Sequence, residues 1–148
     1  MSAYELWLLI ATIVTAVASV GFVLAMLQTY KGQMNAQIFI DLNARYDEVL
    51  QSFPQSAWDA RFALERVLPP ESPELTIAVL RYLNLSSEEY YLYKRGYLRA
   101  DVWRIWEGEM VRTLRSPLLR REWKRLGSEF VSYPEFSRYV DHIQQTTA

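Results

Sequence analysis

The sequence predicts an all-α protein in which a single N-terminal transmembrane helix is followed by a soluble bundle of about five helices. Three observations predict this class. Residues 7–27 carry no charged side chain. The rest of the chain repeats apolar residues at helical spacing between boundaries rich in Ser, Pro and Gly, and no segment alternates like a strand. We therefore divide the chain into an anchor, residues 1–31, and a helical cytoplasmic domain, residues 32–148.

The apolar segment has the length and composition of a membrane span. As a helix its 21 residues reach about 31 Å, which matches a hydrocarbon core of about 30 Å. Eleven of them are Leu, Ile, Val or Phe. Trp7 at one end, and Tyr30 with Lys31 at the other, are residue types that favour the membrane interface.

Two alternatives bear on this segment. Ala16-Val17-Ala18 resembles a signal-peptidase site, but no Lys or Arg precedes the apolar run, and the run continues well past that site. A buried core helix would need more surrounding protein than the remainder supplies. Lys31 and Arg45 follow the span, so the positive-inside rule predicts an inner (cytoplasmic) membrane protein with its N-terminus outside and its domain in the cytoplasm.

Small residues recur along the predicted span. Ala11, Thr15 and Ser19 lie four residues apart on one face, and Gly21 and Ala25 form a second small-xxx-small pair. Such faces let helix backbones approach closely, which predicts a site of transmembrane helix packing. The same residue types are also common in membrane helices that have no partner.

The first two helices beyond the membrane follow from periodicity and from proline. Apolar positions from Ile38 to Phe53 predict an amphipathic helix that Pro54 ends. Ser56 with Asp59 resembles a capping box. It predicts a short helix that carries Trp58, Phe62 and Val67 and that Pro69 and Pro70 close.

Cap signals mark the remaining helices. Ser72-Pro73-Glu74 predicts an N-cap, and Gly96 predicts a C-terminal cap, whereas Ser86-Ser87 leaves open whether one helix or two lie between them. Further starts are predicted at Asp101, at Ser116-Pro117 and at Ser132 with Pro134. Gly127 is predicted to stop the helix that precedes it. The predicted inward side chains are Trp103, Trp106, Met110 and Leu114, then Leu119, Trp123 and Leu126, then Phe136, Val140 and Ile143.

A basic segment surrounds Trp123 in residues 115–125. Cations interleaved with an aromatic ring are typical of surfaces that contact a protein, an anionic lipid or nucleic acid. Because Leu119 and Trp123 are predicted to point inward, an ordinary solvated face explains the same pattern, and nucleic acid is the least favoured partner. The candidate contact residues are Arg115, Arg120, Arg121, Trp123, Lys124 and Arg125.

The side chains that carry catalysis are scarce. There is no Cys, and His142 is the one histidine. Phosphate-binding glycine loops and nucleophile elbows are absent from the sequence. Glu88 with Glu89, and Glu107 with Glu109, are interpreted as solvated surface carboxylates, since adjacent positions do not share a helix face. We therefore expect no enzyme, no catalytic residue, no metal and no cofactor.

Residues 79–116 resemble the core of an uncharacterised bacterial family of small single-pass membrane proteins, which have an N-terminal anchor and a helical domain of unknown function. The resemblance also covers the anchor and the segment IFIDLNARYDEVLQS, and it implies the location and the helical fold. One departure is Asn84-Leu85-Ser86-Ser87, where a continuous helix is usual in the family. The matching positions are Leu83, Asn84, Glu88, Leu92, Tyr93, Lys94, Arg95, Gly96, Leu98, Trp103, Trp106 and Arg112.

These observations together predict a non-catalytic, membrane-anchored interaction protein. We expect an accessory or structural subunit of a larger integral membrane complex, in contact with the lipid bilayer and with an integral membrane protein. The alternative is a self-associating single-pass sensor or adaptor, and a carboxylate-dependent membrane enzyme is a third class. Surplus aromatic residues are candidates for the partner contact, unless they fill the core: Trp58, Tyr90, Tyr91, Tyr93 and Tyr97.

Overall fold

The computed structural model describes residues 2–58, 60 and 67–146, and all regular structure in these ranges is helical. The all-α prediction is confirmed. The elements are α1 (Ala3–Gln51), α2 (Gln55–Trp58), α3 (Pro73–Lys94), α4 (Ala100–Leu114), α5 (Pro117–Leu126), a 3₁₀ turn (Gly127–Phe130) and α6 (Pro134–Gln145).

The chain divides into two structural units, Met1–Gln37 and Ile38–Ala148, and α1 contributes residues to both. The division lies a few residues beyond the predicted domain boundary at residue 31. A capping box not included in the predictions above starts α1. The Ser2 backbone N–H donates to Glu5 Oε2 at 2.7 Å, and the Glu5 N–H donates to Ser2 Oγ at 3.3 Å. This exchange satisfies two of the backbone donors that a helix start leaves free.

Helix α3 begins and ends as its sequence predicts. Ser72 is the N-cap, and its Oγ accepts from the Leu75 backbone N–H at 3.2 Å. At the other end Gly96 adopts φ +73°, with its N–H bonded to the Tyr93 carbonyl at 2.9 Å. The next N–H, that of Tyr97, reaches the Leu92 carbonyl at 2.9 Å. This pair of bonds is a Schellman motif, in which glycine carries the left-handed conformation at little cost.

The Ser86-Ser87 pair does not interrupt α3. Both serines are buried, and Ser87 Oγ donates to the Asn84 carbonyl at 2.7 Å. The hydroxyl is thereby satisfied inside the helix, where it would otherwise favour a turn. The helix is therefore continuous over Pro73–Lys94.

The boundaries of α4 and α5 agree with the prediction to within a residue or two. Helix α4 starts at Ala100, and Asp101 lies in its first turn with its carboxylate paired to Arg99. Ser116 caps α5 by accepting from the Leu119 N–H at 3.2 Å. Gly127 ends α5, but its φ of −60° continues the chain into the 3₁₀ turn. Its role is therefore not that of a left-handed cap.

Two other predicted helix starts are displaced. Tyr133, not Ser132, is the N-cap of α6, since Pro134 fixes the first helical position. Ser56 lies within α2 and does not precede it. Val67 lies outside any helix with its side chain exposed, whereas Asp59 and Phe62 lie outside the described residues.

One cluster of buried apolar side chains joins the elements of the second unit. It includes Leu42 and Val49 of α1 and extends through α3, α4, α5 and α6. Every predicted inward position of α4, α5 and α6 is buried except Trp106, which is half-buried. Trp103 stacks on Tyr93 with ring centroids 4.7 Å apart. The aromatic content of the chain thus contributes largely to this core.

Candidate functional site

The apolar segment of α1 is exposed along its whole length within its unit. Trp7 is 71% exposed, and none of the side chains in the most apolar window is buried. Among the described residues α1 is the one helix long and apolar enough to cross a membrane, a test that a signal sequence also passes. The predicted interface residues Tyr30 and Lys31 are exposed as well.

The hydroxyl groups on the small-residue face are satisfied within the helix. Thr15 Oγ1 donates to the Ala11 carbonyl at 2.9 Å, and Ser19 Oγ donates to the Thr15 carbonyl at 2.8 Å. This face therefore consists of small side chains whose hydroxyl donors are already hydrogen-bonded. Such a surface can pack closely against another helix or contact lipid. Gly21 has open space around its Cα, and Ala25 is exposed.

The basic segment of α5 is partly engaged in internal ion pairs. Glu122 is fully buried, and its two carboxylate oxygens accept from Arg121 Nε at 2.8 Å and from Arg125 Nη1 at 2.7 Å. Arg121 Nη1 also donates to the Pro69 carbonyl at 2.7 Å, and Arg125 Nε lies 3.5 Å from Glu71. These two arginines connect α5 to the segment that precedes α3.

The other predicted contact residues of the basic segment differ in exposure. Trp123 is only 7% exposed, and its indole N–H donates to Asp141 Oδ1 at 2.8 Å. Arg115 Nε donates to the Ile143 carbonyl at 3.4 Å. Arg120 is half-buried, whereas Lys124 is exposed. Arg125 is exposed as well but is held in ion pairs, so Lys124 is the exposed cation of this segment with no ion pair among the described residues.

The surplus aromatic residues also separate into two groups. Tyr90 and Tyr93 pack against other rings, with the Tyr90 and Tyr139 centroids 4.7 Å apart. Trp58, Tyr91 and Tyr97 are exposed. Tyr90 and Tyr93 are half-buried, so the second group is the more accessible one.

A groove that the sequence does not predict lies between α1, α3 and α4 within the second unit. Its volume is about 220 Å³, and Phe39 stacks on Trp106 beside it with ring centroids 5.4 Å apart. Its wall includes the buried carboxyl of Glu89, which is 7% exposed. We call this cavity the Glu89 groove, and its principal lining residues are Phe39, Tyr46, Tyr82, Glu89, Trp106 and Met110.

The interpretation of Glu89 as a solvated surface carboxylate is wrong. Its neighbour Glu88 is half exposed and forms a bidentate pair with Arg45, whereas Glu89 points inward. Burial raises the pKa of Glu89 from 4.5 to about 7, helped by the nearby charge of Glu88 and opposed by that of Arg45. Burial also raises the pKa of Tyr82, which lines the same groove.

Glu89 makes no hydrogen bond or ion pair with any residue in the described part of the chain. Its position could have been read from the helix period, since Tyr82, Ser86 and Glu89 fall on one face at spacings of four and three. A buried carboxyl without a partner is costly when ionised, so this group is available to a ligand that brings a donor or a positive charge.

The other predicted carboxylate pair makes one contact with α6 and one within α4. Glu107 Oε1 accepts from the Tyr139 hydroxyl at 3.1 Å, and Glu109 Oε2 pairs with Arg112 at 2.7 Å. Within residues 2–58, 60 and 67–146 there is no group of three metal-binding side chains. No family model, curated protein or solved structure matches the chain.

Proposed function

We propose that this chain is a non-catalytic, membrane-anchored interaction protein, an accessory subunit of a larger integral membrane complex. In this proposal residues 1–31 span the inner membrane, and residues 32–148 form a helical bundle in the cytoplasm. The observation that carries the proposal is the fully exposed apolar segment of α1. A surface of this kind needs either lipid or another protein to cover it.

The free energy of transferring residues 7–27 from water into the bilayer supports lipid as the surface that covers this segment. Eleven Leu, Ile, Val and Phe residues lie in positions 7–27. At roughly −0.3 to −0.6 kcal/mol each, they contribute about −3 to −7 kcal/mol to insertion. The hydroxyls of Thr15 and Ser19 reduce this gain little, because their hydrogen bonds are already made to the helix backbone.

The positions of Lys and Arg around the apolar segment support the proposed orientation, with the N-terminus outside and the domain in the cytoplasm. No Lys or Arg precedes the apolar segment, whereas Lys31 follows it directly. Arg45 is the next cation, although its guanidinium is paired with Glu88. The proposed topology therefore depends chiefly on Lys31, and the variant Lys31→Glu is expected to weaken it.

Membrane insertion and topology are tested together in native membranes. We expect the chain to resist extraction by alkaline carbonate, and a protease added outside spheroplasts to leave residues 32–148 intact. Release by carbonate would contradict the anchor. Digestion of the domain in sealed spheroplasts would contradict the orientation alone.

The small-residue face is the proposed contact with the partner in the membrane. Changing Ala11, Thr15 and Ser19 together to Leu should abolish co-purification of the partner, because the larger side chains keep the helix backbones apart. The matched control changes Ile13, Val17 and Val20 to Leu, on the opposite side of the same helix. Equal loss in both variants would contradict a specific face.

A second copy of the chain is the alternative occupant of that face. The charge distribution supports this sensor or adaptor hypothesis. Residues 32–93 hold four basic and nine acidic residues, whereas residues 94–125 hold ten basic and four acidic. Contact between the acidic region of one copy and the basic region of the other would be electrostatically favourable. Loss of a homodimer, with no other chain present, on changing the small-residue face would favour this alternative.

A further inference from the structure

The Glu89 groove combines two features that attract one kind of ligand. The first is the Glu89 carboxyl, 7% exposed and without a hydrogen-bonding or ion-pairing partner among the described residues. The second is a largely aromatic and apolar wall that includes Phe39, Tyr82 and Trp106. Small-molecule sites commonly have this composition, an apolar lining with one or a few polar groups that fix the ligand.

The polar group and the rings favour positive charge. An ionised carboxylate in an apolar setting is stabilised by a cation that donates hydrogen bonds to it. Aromatic faces also attract ammonium groups through their quadrupole. A neutral apolar ligand would leave Glu89 unpaired, and an anion would be repelled by it. The volume of about 220 Å³ admits a small molecule.

We propose that the Glu89 groove binds a small organic ammonium ion, with its N–H groups donating to the Glu89 carboxylate and its hydrocarbon part against the aromatic wall. This role is independent of the proposed membrane partner, because every lining residue belongs to the second structural unit. It would give the domain a ligand whose binding is coupled to proton release.

Few other charges face Glu89 from the three helices. Arg45 of α1 and Glu88 of α3 are paired with each other, and Glu109 of α4 is paired with Arg112. The phenols of Tyr46 and Tyr82 complete the titratable groups of the groove. The Glu89 carboxyl, whose pKa is about 7, is therefore the group of the groove that governs how ligand binding depends on pH near neutrality.

The proposal is tested by titrating the full chain, in mild nonionic detergent, with benzylammonium chloride in a calorimeter. Benzyl alcohol is the neutral probe of similar shape, and empty micelles correct for partition of either probe. We expect saturable binding of the ammonium ion that strengthens about tenfold between about pH 6 and pH 8, because the ionised fraction of a group with a pKa of about 7 rises tenfold.

Two variants locate the binding. Glu89→Gln is expected to weaken benzylammonium binding at least tenfold at about pH 8 and to remove its pH dependence. Asp47→Asn removes an exposed α1 carboxylate that does not line the groove, and should leave the affinity within about twofold of the parent. Far-ultraviolet circular dichroism and the urea midpoint confirm that each variant is folded.

Three results would overturn the proposal. One is the absence of saturable benzylammonium binding with dissociation constants up to the order of 1 mM. The second is benzyl alcohol binding as tightly as the ammonium ion. The third is a folded Glu89→Gln variant that binds benzylammonium as tightly as the parent chain.

Discussion

Replacing Glu89 by Gln should make the chain more stable, and increasingly so as the pH rises. The Glu89 carboxyl is 7% exposed and has no hydrogen-bonding partner in the described part of the chain, so its charged form is penalised in the folded state. Its pKa rises from 4.5 to about 7 on folding. Each unit of difference corresponds to about 1.4 kcal/mol, so the full penalty is about 3 kcal/mol.

The sign follows from proton binding. Below about pH 4.5 the carboxyl is protonated in both the folded and the unfolded state, and it contributes no penalty. Between about pH 4.5 and pH 7 the unfolded chain releases the proton while the folded chain keeps it, so the folded state loses stability as the pH rises. Above about pH 7 both states are ionised and the penalty is constant.

The assay is urea unfolding followed by tryptophan fluorescence, in mild detergent, for the parent chain and for Glu89→Gln. The difference between their free energies of unfolding should grow by about 2–3 kcal/mol from about pH 5 to pH 8, in favour of the variant. Asp47→Asn, at an exposed carboxylate, is the matched control variant. A Glu89→Gln difference that does not change with pH would refute the buried, unpaired state of this carboxyl.

Two further predictions concern backbone conformation and internal ion pairs, both measured by urea unfolding at neutral pH. Gly96→Ala should lower the free energy of unfolding by about 1 kcal/mol, because φ at this residue is +73°. Gly108→Ala within α4 should raise it by about 0.5–1 kcal/mol. Equal effects of the two variants would contradict the left-handed cap at Gly96. Glu122→Gln should lower the free energy of unfolding by about 1–3 kcal/mol, because it removes the buried charge between two arginines. Glu129→Gln, at an exposed site, should lower it by less than about 0.5 kcal/mol. A Glu122 effect as small as that of Glu129 would show that the buried pairs do not stabilise the fold.

Local signals predicted the helix ends that depend on local chemistry. Ser72 and Ser116 cap helices where a serine precedes a proline, and Gly96 supplies the left-handed residue of a Schellman motif. These interactions involve residues within a few positions of one another, so the sequence pattern contains nearly all the information. The all-helical class follows for the same reason, because apolar spacing is a property of each segment.

Features that depend on the tertiary environment were harder to predict. The Ser86-Ser87 pair resembles a helix break in isolation, yet both serines are buried in a continuous α3. Packing of their face outweighs the weak local preference of serine for turns. Whether Glu89 is exposed to solvent depends on the α1 and α4 side chains that pack beside it. The sequence of α3 alone does not specify this packing.

Among the candidate contact residues, too, the features that depend on the tertiary environment were harder to predict. The sequence predicts Trp123 both in an inward stripe and in a basic contact segment, and its side chain is buried with its indole N–H bonded to Asp141. Arg121 and Arg125 hold the buried Glu122, an ion pairing that the charge pattern alone did not reveal. The role of the small-residue face and of Lys124 in binding a partner stays a prediction.

We propose that the exposed apolar helix holds this chain in a membrane complex. The most direct test is the native mass of the protein extracted in mild detergent from its own membranes, with every co-migrating chain identified. We expect migration within a larger assembly at fixed stoichiometry with an integral membrane protein. Migration alone, as a monomer or as a dimer of this chain, would contradict the accessory-subunit proposal, and a dimer would support the self-associating sensor.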